Sequence, residues 1–412
     1  MKYFLFLLYV IVCFVPYFGT IDKIGSQWLY ISIINICIFF YLSINYNYLS
    51  LIRNYFKFNH IKVYFIFILF CLFSFFFTKN WTLSVVDFSR IVSTFFLSFN
   101  IYHLISDSKL KLSNISLIIS LVLFFEIIAS LIPFYDFLKS YTIYEIDFAS
   151  IPNALRGVTG NKNIFAADIV FKIPFVLYLA HSGSLFQKIF SHFLFLLSLL
   201  FVFLLSARAT YFSLSFVLFV YTFYSVYHFV KNKKLVTYTI NFLSVSLIIL
   251  FAQWLPSSYI SLSSRVSSIS TADVSANLRI TLWENALDYI SQSPFIGCGL
   301  GNWKVESLQY WRDMLSGYTI PYHAHNDFLE LATEIGILGA LSYILIFVTI
   351  LIMLYNRFRS TDFSFVSFII LSGIIAYTVD ALLNFPLERA INQVNFGLII
   401  ALTSLYYKNE KV

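Results

Sequence analysis

With 412 residues, of which 59% are hydrophobic, 20% aromatic and 11% charged, and a mean hydropathy of +0.81, the chain has more apolar surface than a water-soluble domain can hide. Repeated apolar runs near the roughly 20 residues that cross a bilayer as a helix make it a polytopic membrane protein. The net charge of +7 is scattered over short loops rather than gathered in a stripe, so no nucleic-acid partner is expected.

Backbone in hydrocarbon must satisfy its own hydrogen bonds, and the runs are too long and too uniformly apolar for barrel strands. The expected fold class is therefore all-α, a single integral membrane domain over 1–412. Twelve spans are expected, at roughly 3–19, 28–46, 63–78, 90–106, 115–137, 164–181, 189–206, 210–230, 236–255, 327–354, 363–384 and 391–407. The opening segment, Lys2 followed by Tyr3 to Phe18, resembles a signal peptide but lacks a small-x-small cleavage site, and is read as a retained helix. Arg53, Lys57, Lys62, Lys109, Lys111, Lys188, Lys231, Lys233, Lys234, Arg357 and Arg359 fall in connections on one side. Only Lys23, Lys79, Arg90, Arg208 and Arg389 fall in the short connections of the other. That asymmetry, reinforced by Lys2, Lys408 and Lys411, puts both termini in the cytoplasm. Cys13, Cys37 and Cys71 lie in apolar runs and Cys298 in a loop, so no disulfide or zinc site is implied.

Two outer connections are long, about 138–163 and about 256–326. The second opens with a serine-rich stretch, Ser261 to Ser275, expected to be mobile. It continues into an amphipathic helix, Leu278 to Ile290, whose Ile280, Trp283, Leu287 and Ile290 share one face at helical spacing. Arg279 falls on the polar side of that helix, where solvated surface charge is an equally good reading. Pro294 and the glycines Gly297, Gly299 and Gly301 end it. This glycine spacing is not a nucleotide loop, since it follows no strand and lacks a Walker lysine.

Histidines divide by location. His60, His103, His181, His192 and His228 sit at the cytoplasmic ends of spans, whereas His323 and His325 face outward at the start of the tenth. Position alone also suits a capping role there, with Asn326 or Asp327 as the cap. An imidazole is nevertheless the natural proton acceptor at neutral pH. The arginines repeat the asymmetry: Arg90, Arg156, Arg208, Arg265, Arg279, Arg312 and Arg389 are outside, and cytoplasmic positive charge is mostly lysine. Guanidinium forks bind phosphate oxygens bidentately and stay charged when partly buried, which gives outer arginines a purpose that topology does not. Arg208 stands in a very short turn, Ser206-Ala207-Arg208-Ala209-Thr210, where snorkelling to the headgroups is the alternative. Within the spans, Asp168 and Lys172 are spaced for a structural ion pair, and Glu126 has no evident partner. Glu330 and Glu334 lie one turn apart on the tenth span, where either orients His325 or a ligand, or simply supports the helix.

On these residues the sequence resembles the O-antigen ligase and polymerase superfamily of bacterial membrane glycosyltransferases. The strongest likeness is His325-Asn326, nine residues, then Gly336-Ile337-Leu338-Gly339. Supporting matches are Gly160-Asn161-Lys162-Asn163, Ser206-Ala207-Arg208, Arg279-Ile280-Thr281-Leu282-Trp283 leading into Pro294 to Gly299, and Asn384-Phe385-Pro386-Leu387-Glu388-Arg389. The likeness covers about 160–390; before that only hydropathy matches. Ala209 replaces a common glycine and Lys162 a frequent proline, and neither change removes a reactive group.

The resemblance implies a GT-C-like fold with one large, partly helical periplasmic loop in the inner membrane. It implies metal-independent, inverting transfer of a glycan from undecaprenyl diphosphate to an acceptor hydroxyl, such as that of lipid A-core, on the periplasmic side, with no cofactor. His325 would activate the acceptor, and Arg208 and Arg279 would hold the diphosphate. Arg156, Asn161, Lys162, Asn163, Arg265, His323, Asn326, Glu330 and Arg389 are expected to contact substrate around them. A polysaccharide polymerase or a protein O-oligosaccharyltransferase would differ in acceptor. A transporter or flippase would place its charges near the bilayer midplane, where only Glu126, Asp168 and Lys172 stand.

Overall fold

A computed structural model describes residues 1–19, 23–106, 111–140, 150–232, 235–254, 274–311, 322–360 and 363–408. All regular structure among them is helical. In chain order the helices are α1 (Lys2–Val10), α2 (Lys23–Asn45), α3 (Tyr48–Tyr55), α4 (Asn59–Phe73), α5 (Trp81–Ser106), α6 (Leu112–Lys139), α7 (Ile151–Ala154), α8 (Lys162–Ser182), α9 (Leu185–Leu205), α10 (Arg208–Asn232) and α11 (Leu235–Trp254). Then follow α12 (Val274–Gln292), α13 (Trp303–Glu306), α14 (Leu308–Trp311), α15 (Asp327–Ser360), α16 (Phe365–Leu383) and α17 (Ala390–Lys408). Among the described residues nine helices are long and apolar enough to cross a membrane: α2, α4 with its 3-10 extension, α5, α6, α8, α9, the Arg208–His228 part of α10, α15 and α16. The other three expected spans fall on the shorter apolar stretches Lys2–Phe14 and Thr237–Leu250, and on α17.

Local chemistry sets several boundaries. Asn161 caps α8 by accepting from the amides of Asn163 (2.9 Å) and Ile164 (3.4 Å). Ser184 and Gln187 form a capping box at α9. Ser206 ends α9 in the left-handed region (φ 53°), so α10 begins two residues later and Arg208 sits in its first turn.

The bundle is built round α8, buried on nearly every side and packed against α6, α9, α10 and α16. A second layer pairs α4 with α15 and α5 with α17 and α2. Lipid offers helices no hydrophobic reason to associate, so close packing and interhelical polar contacts hold them. The chief polar contact corrects the reading of Glu126 as unpartnered. Lys172 reaches both its carboxylate oxygens (2.7 and 2.6 Å) across α6–α8, as well as Asp168 on its own helix (2.7 Å). Asp168 also accepts from Asn395 of α17 (2.8 Å), tying three helices at one buried point. Periodicity cannot see a partner 46 residues away.

The segment that carries α12 also departs from expectation in its face. α12 buries Leu282, Ala286 and Ile290, while Ile280 and Leu287 are exposed. Ala286 sits in a small cluster with Cys298, Trp303 and Ala324, where a short side chain permits close approach. Apolar residues surround this helix, and packing rather than the apolar count chooses the inward side. Arg279 is three residues before Leu282 and seven before Ala286, so it heads the inward stripe rather than a solvated face. The serine-rich stretch, with Arg265, and Arg312 lie outside the described residues.

Candidate active site

The turn that carries His325 is held from three directions. Asn326 caps α15, accepting from the amides of Phe328 and Leu329 (both 3.1 Å), so its side chain serves the helix. Glu330, one turn on, accepts from the amide of Ala324 (2.8 Å) and pairs with His323 Nδ1 (2.9 Å). Ala324 is itself buried against Ala286, Cys298 and Trp303. Between these anchors His325 is forced to φ 52°, a conformation non-glycine residues seldom adopt.

Phe385, in the turn between α16 and α17, is the hub on the other side. The His323 ring stacks flat on it (4.1 Å, 14°), the His325 ring meets it edge-on (5.0 Å, 78°), and the Arg389 guanidinium lies 4.3 Å from its centre. That turn is fixed in place by Asp327, which accepts from the Leu387 amide (3.0 Å), and by Trp28, which donates to the Glu388 carbonyl (2.8 Å).

An ion network stands behind it. Arg90 bridges Asp87 (2.9 Å) and Glu388 (3.0 Å), and Lys304 also pairs with Asp87 (3.0 Å) and with Glu388. Arg90, counted above among outer arginines suited to phosphate, is thus engaged by carboxylates. Burial alone would lower the His323 pKa, but Glu330 and then Glu388 reverse this and hold it above the ordinary value. Burial alone would likewise raise Glu388, but His323, Lys304 and Arg90 bring it down to about 2. With His323 protonated, three cations face Asp87, Glu330 and Glu388. His323, Glu330 and Glu388 offer ligand atoms within 4.8 Å of one another, as a cation site would. Lys304, Arg90 and the Ala324 amide already occupy those carboxylates, so the group fits an ion network better than a metal.

His325 is different. The other histidines all have partners: His60 with Ser404, His103 with the Leu51 carbonyl, His181 with Tyr221, His192 with Asn241, His228 with the Phe363 carbonyl and His323 with Glu330. The His325 ring has no hydrogen-bond partner among the described residues, and its Nδ1 is buried. It borders a cavity of about 80 Å³ with Asn161, Asn163, Asp380, Asn384, Phe385, Arg389 and Asn392. Asp380 accepts from Asn384 and Asn392 (both 2.7 Å), while Asn392 Oδ1 is buried and unused. Burial first, then the charge of Arg279 and that of His323, push the His325 pKa down to about 4. Burial, then the charge of Arg208, lower that of Arg279. One imidazole and two half-buried guanidiniums, remote in sequence, therefore lie within electrostatic reach of one another.

Residues 193–344 match the family described as O-antigen ligase, a stretch that contains Arg208, Arg279, His325 and Gly336. Over that stretch the chain is similar to the O-antigen ligase family, which supports the resemblance drawn from the sequence. No curated protein gives a match. The ligase stretch supplies the imidazole and both guanidiniums, whereas Asn161, Asn163, Asp380, Phe385, Arg389 and Asn392 come from outside it. Arg156 is exposed on the turn before α8, and neither it nor Lys162 is among the residues bordering the His325 cavity. Phe385 and Lys304 are site residues to which the sequence assigns no role, and Glu388 is marked there only as clustering with Asp380 and Arg389. For Phe385 and Glu388 the signal was present in the run Asn384 to Arg389; nothing local marks Lys304.

Proposed function

We propose that the protein is a glycosyltransferase of ligase type, moving a glycan from undecaprenyl diphosphate to an acceptor hydroxyl, such as that of lipid A-core, at the outer face of the inner membrane. The observation that carries this reading is His325: an unpartnered, neutral imidazole on a cavity wall, under the charge of Arg279 and behind it Arg208.

In this reading the acceptor oxygen attacks the anomeric carbon of the donor from the face opposite the diphosphate. The new C–O bond forms as the bond from that carbon to the phosphate oxygen breaks, so configuration inverts. The hydroxyl proton passes to His325, and the electron pair of the broken bond leaves on the diphosphate. Such a base contributes about 10²–10⁴-fold. Arg208 and Arg279 face the charge that grows on the leaving oxygen, and the α10 N-terminus adds its positive end. Two cations that otherwise repel each other favour an anion between them. The mechanism uses no metal, and no ATP is required.

The test is transfer from purified lipid-linked donor to acceptor. His325→Ala should lose activity by about 10²–10⁴-fold, and Arg208→Ala or Arg279→Ala by about 10²–10³-fold. Full turnover by the histidine variant would exclude the proposed base. A polymerase shares all of this chemistry, and the acceptor separates the two. Loss of all capping polysaccharide in a deletion strain, with lipid-linked polymer accumulating, indicates the ligase; a single repeat unit left on the core indicates the polymerase.

A further inference from the structure

Beside the His325 cavity, and sharing Asn161, Ile164 and Arg389 with it, is a second cavity of about 200 Å³. Its far wall is made by Tyr17 beyond α1, Gln27 of α2 and Thr159 in the turn before α8. At this volume it takes many waters, or one ring-sized polar molecule.

Gln27 is the informative residue. Only 5% exposed, it has no hydrogen-bond partner among the described residues. Its amide opens onto the cavity, so its hydrogen-bond partners come from what fills that space, water or a ligand. Its position is not accidental slack. Ser26 donates to the Tyr17 carbonyl (2.6 Å) and Trp28 to the Glu388 carbonyl (2.8 Å), which pins Gln27 between them on the wall. Around it stand the Asn161 amide, the Thr159 hydroxyl, the Tyr17 phenol and the Arg389 guanidinium. Donors and acceptors are mixed and, among the described residues, no carboxylate borders the space, which suits the hydroxyls of a neutral or acidic sugar.

We propose that this second cavity is a sugar subsite, in which Gln27 reads the hydroxyls of a monosaccharide ring next to the reacting one. The inference rests on the glycan-transfer reading above. Every described residue on its wall lies outside 193–344, so the family stretch would bring the reaction, and Tyr17 and α2 the selectivity. The ring belongs either to the donor glycan or to the acceptor, and the two are told apart as follows.

Gln27→Met keeps side-chain length and removes the amide. In the purified transfer assay, with donor and acceptor varied separately, it should raise one KM by about tenfold and lower kcat by less. A rise in donor KM assigns the ring to the leaving glycan, and a rise in acceptor KM to the incoming one. Unchanged values for both, or a loss confined to kcat, overturn the subsite. Tyr17→Phe, on the exposed part of the same wall, must raise the same KM, and keeps the test decisive if Gln27→Met fails to fold. Absence of transfer by the unaltered protein would sink the parent reading, whereas transfer with unmoved KM values in the variants sinks the subsite alone.

Discussion

A histidine at a helix entrance says little until its partners are known. His323 and His325 are two residues apart, yet His323 is committed to Glu330 and Phe385, and His325 is left with an empty hydrogen-bonding capacity on a cavity wall. The sign of its pKa shift gives a prediction. Because burial and Arg279 push the imidazole down to about 4, its neutral, proton-accepting form persists well below the ordinary histidine value. In the free enzyme, the acid limb of kcat/KM should therefore fall below pH 6.5, towards about 4. In the proposed reaction a bound diphosphate would offset the charge of Arg279 and raise the same group, so the acid limb of kcat should lie at higher pH than that of kcat/KM. Rate profiles on purified donor and acceptor check both orders; a kcat/KM limb at or above 6.5 contradicts the assignment. His325 and Arg208 are marked in the sequence by place alone, one at a helix entrance and one in a very short turn. Lys304 is not marked, since its carboxylates come from Asp87 and Glu388, 217 and 84 residues away.

The loop and the kinked helix behave as one element. Gly336 interrupts α15 with φ 74° and ψ 168°, and the amide of Ile337 then donates to the Pro294 carbonyl (2.8 Å). In return, the amides of Cys298 and Gly299 donate to the carbonyls of Thr333 (2.9 Å) and Glu334 (2.8 Å), which the kink sets free. Two glycine motifs read separately in the sequence are thus the two halves of a single joint, and the joint sets where Glu330 and the His325 turn emerge. At Gly336 a Cβ would strike the Phe295 carbonyl as well as demand a left-handed backbone. At Gly339 it would meet only the side chain of Ile335. Gly336→Ala should cost about 1–3 kcal/mol or more and most of the activity, while Gly339→Ala should cost distinctly less. Thermal unfolding in detergent, with transfer assays on both variants, decides it; equal losses would mean the joint is not what the first glycine is for. Helix existence was readable here from hydrophobic runs, but the working face of α12 was not. Leu278, Ile280, Leu282 and Leu287 spread round the helix, and only the fit of Ala286 against Trp303 selects a side.

Across the whole molecule, the site depends on helices from both ends of the chain being held in register. Trp28 ties α2 to the turn between α16 and α17, and Glu126, Lys172, Asp168 and Asn395 tie α6, α8 and α17 in the buried interior. The all-helical membrane class follows from composition, but the pairing that closes the bundle does not, because contacts across helices leave no periodic trace. That pairing makes the last prediction. Among the described residues Lys172 is the cation that pairs with both Glu126 and Asp168, all three side chains being at most 3% exposed. Lys172→Met leaves two adjacent negative charges without compensation and should destabilise by about 3–5 kcal/mol. Glu126→Gln removes a carboxylate from a group that otherwise holds two against one lysine, and leaves the Asp168–Lys172 pair and the Asn395 contact intact. It should therefore be the milder change, although both alter a residue bonded to the same ammonium. If the cluster were instead a carrier site for protons or ions, as a transporter would require, Glu126→Gln would abolish activity while leaving the thermal midpoint near that of the unaltered protein. The structural role requires the reverse order: Lys172→Met lowers the midpoint furthest, and Glu126→Gln retains both midpoint and glycan transfer.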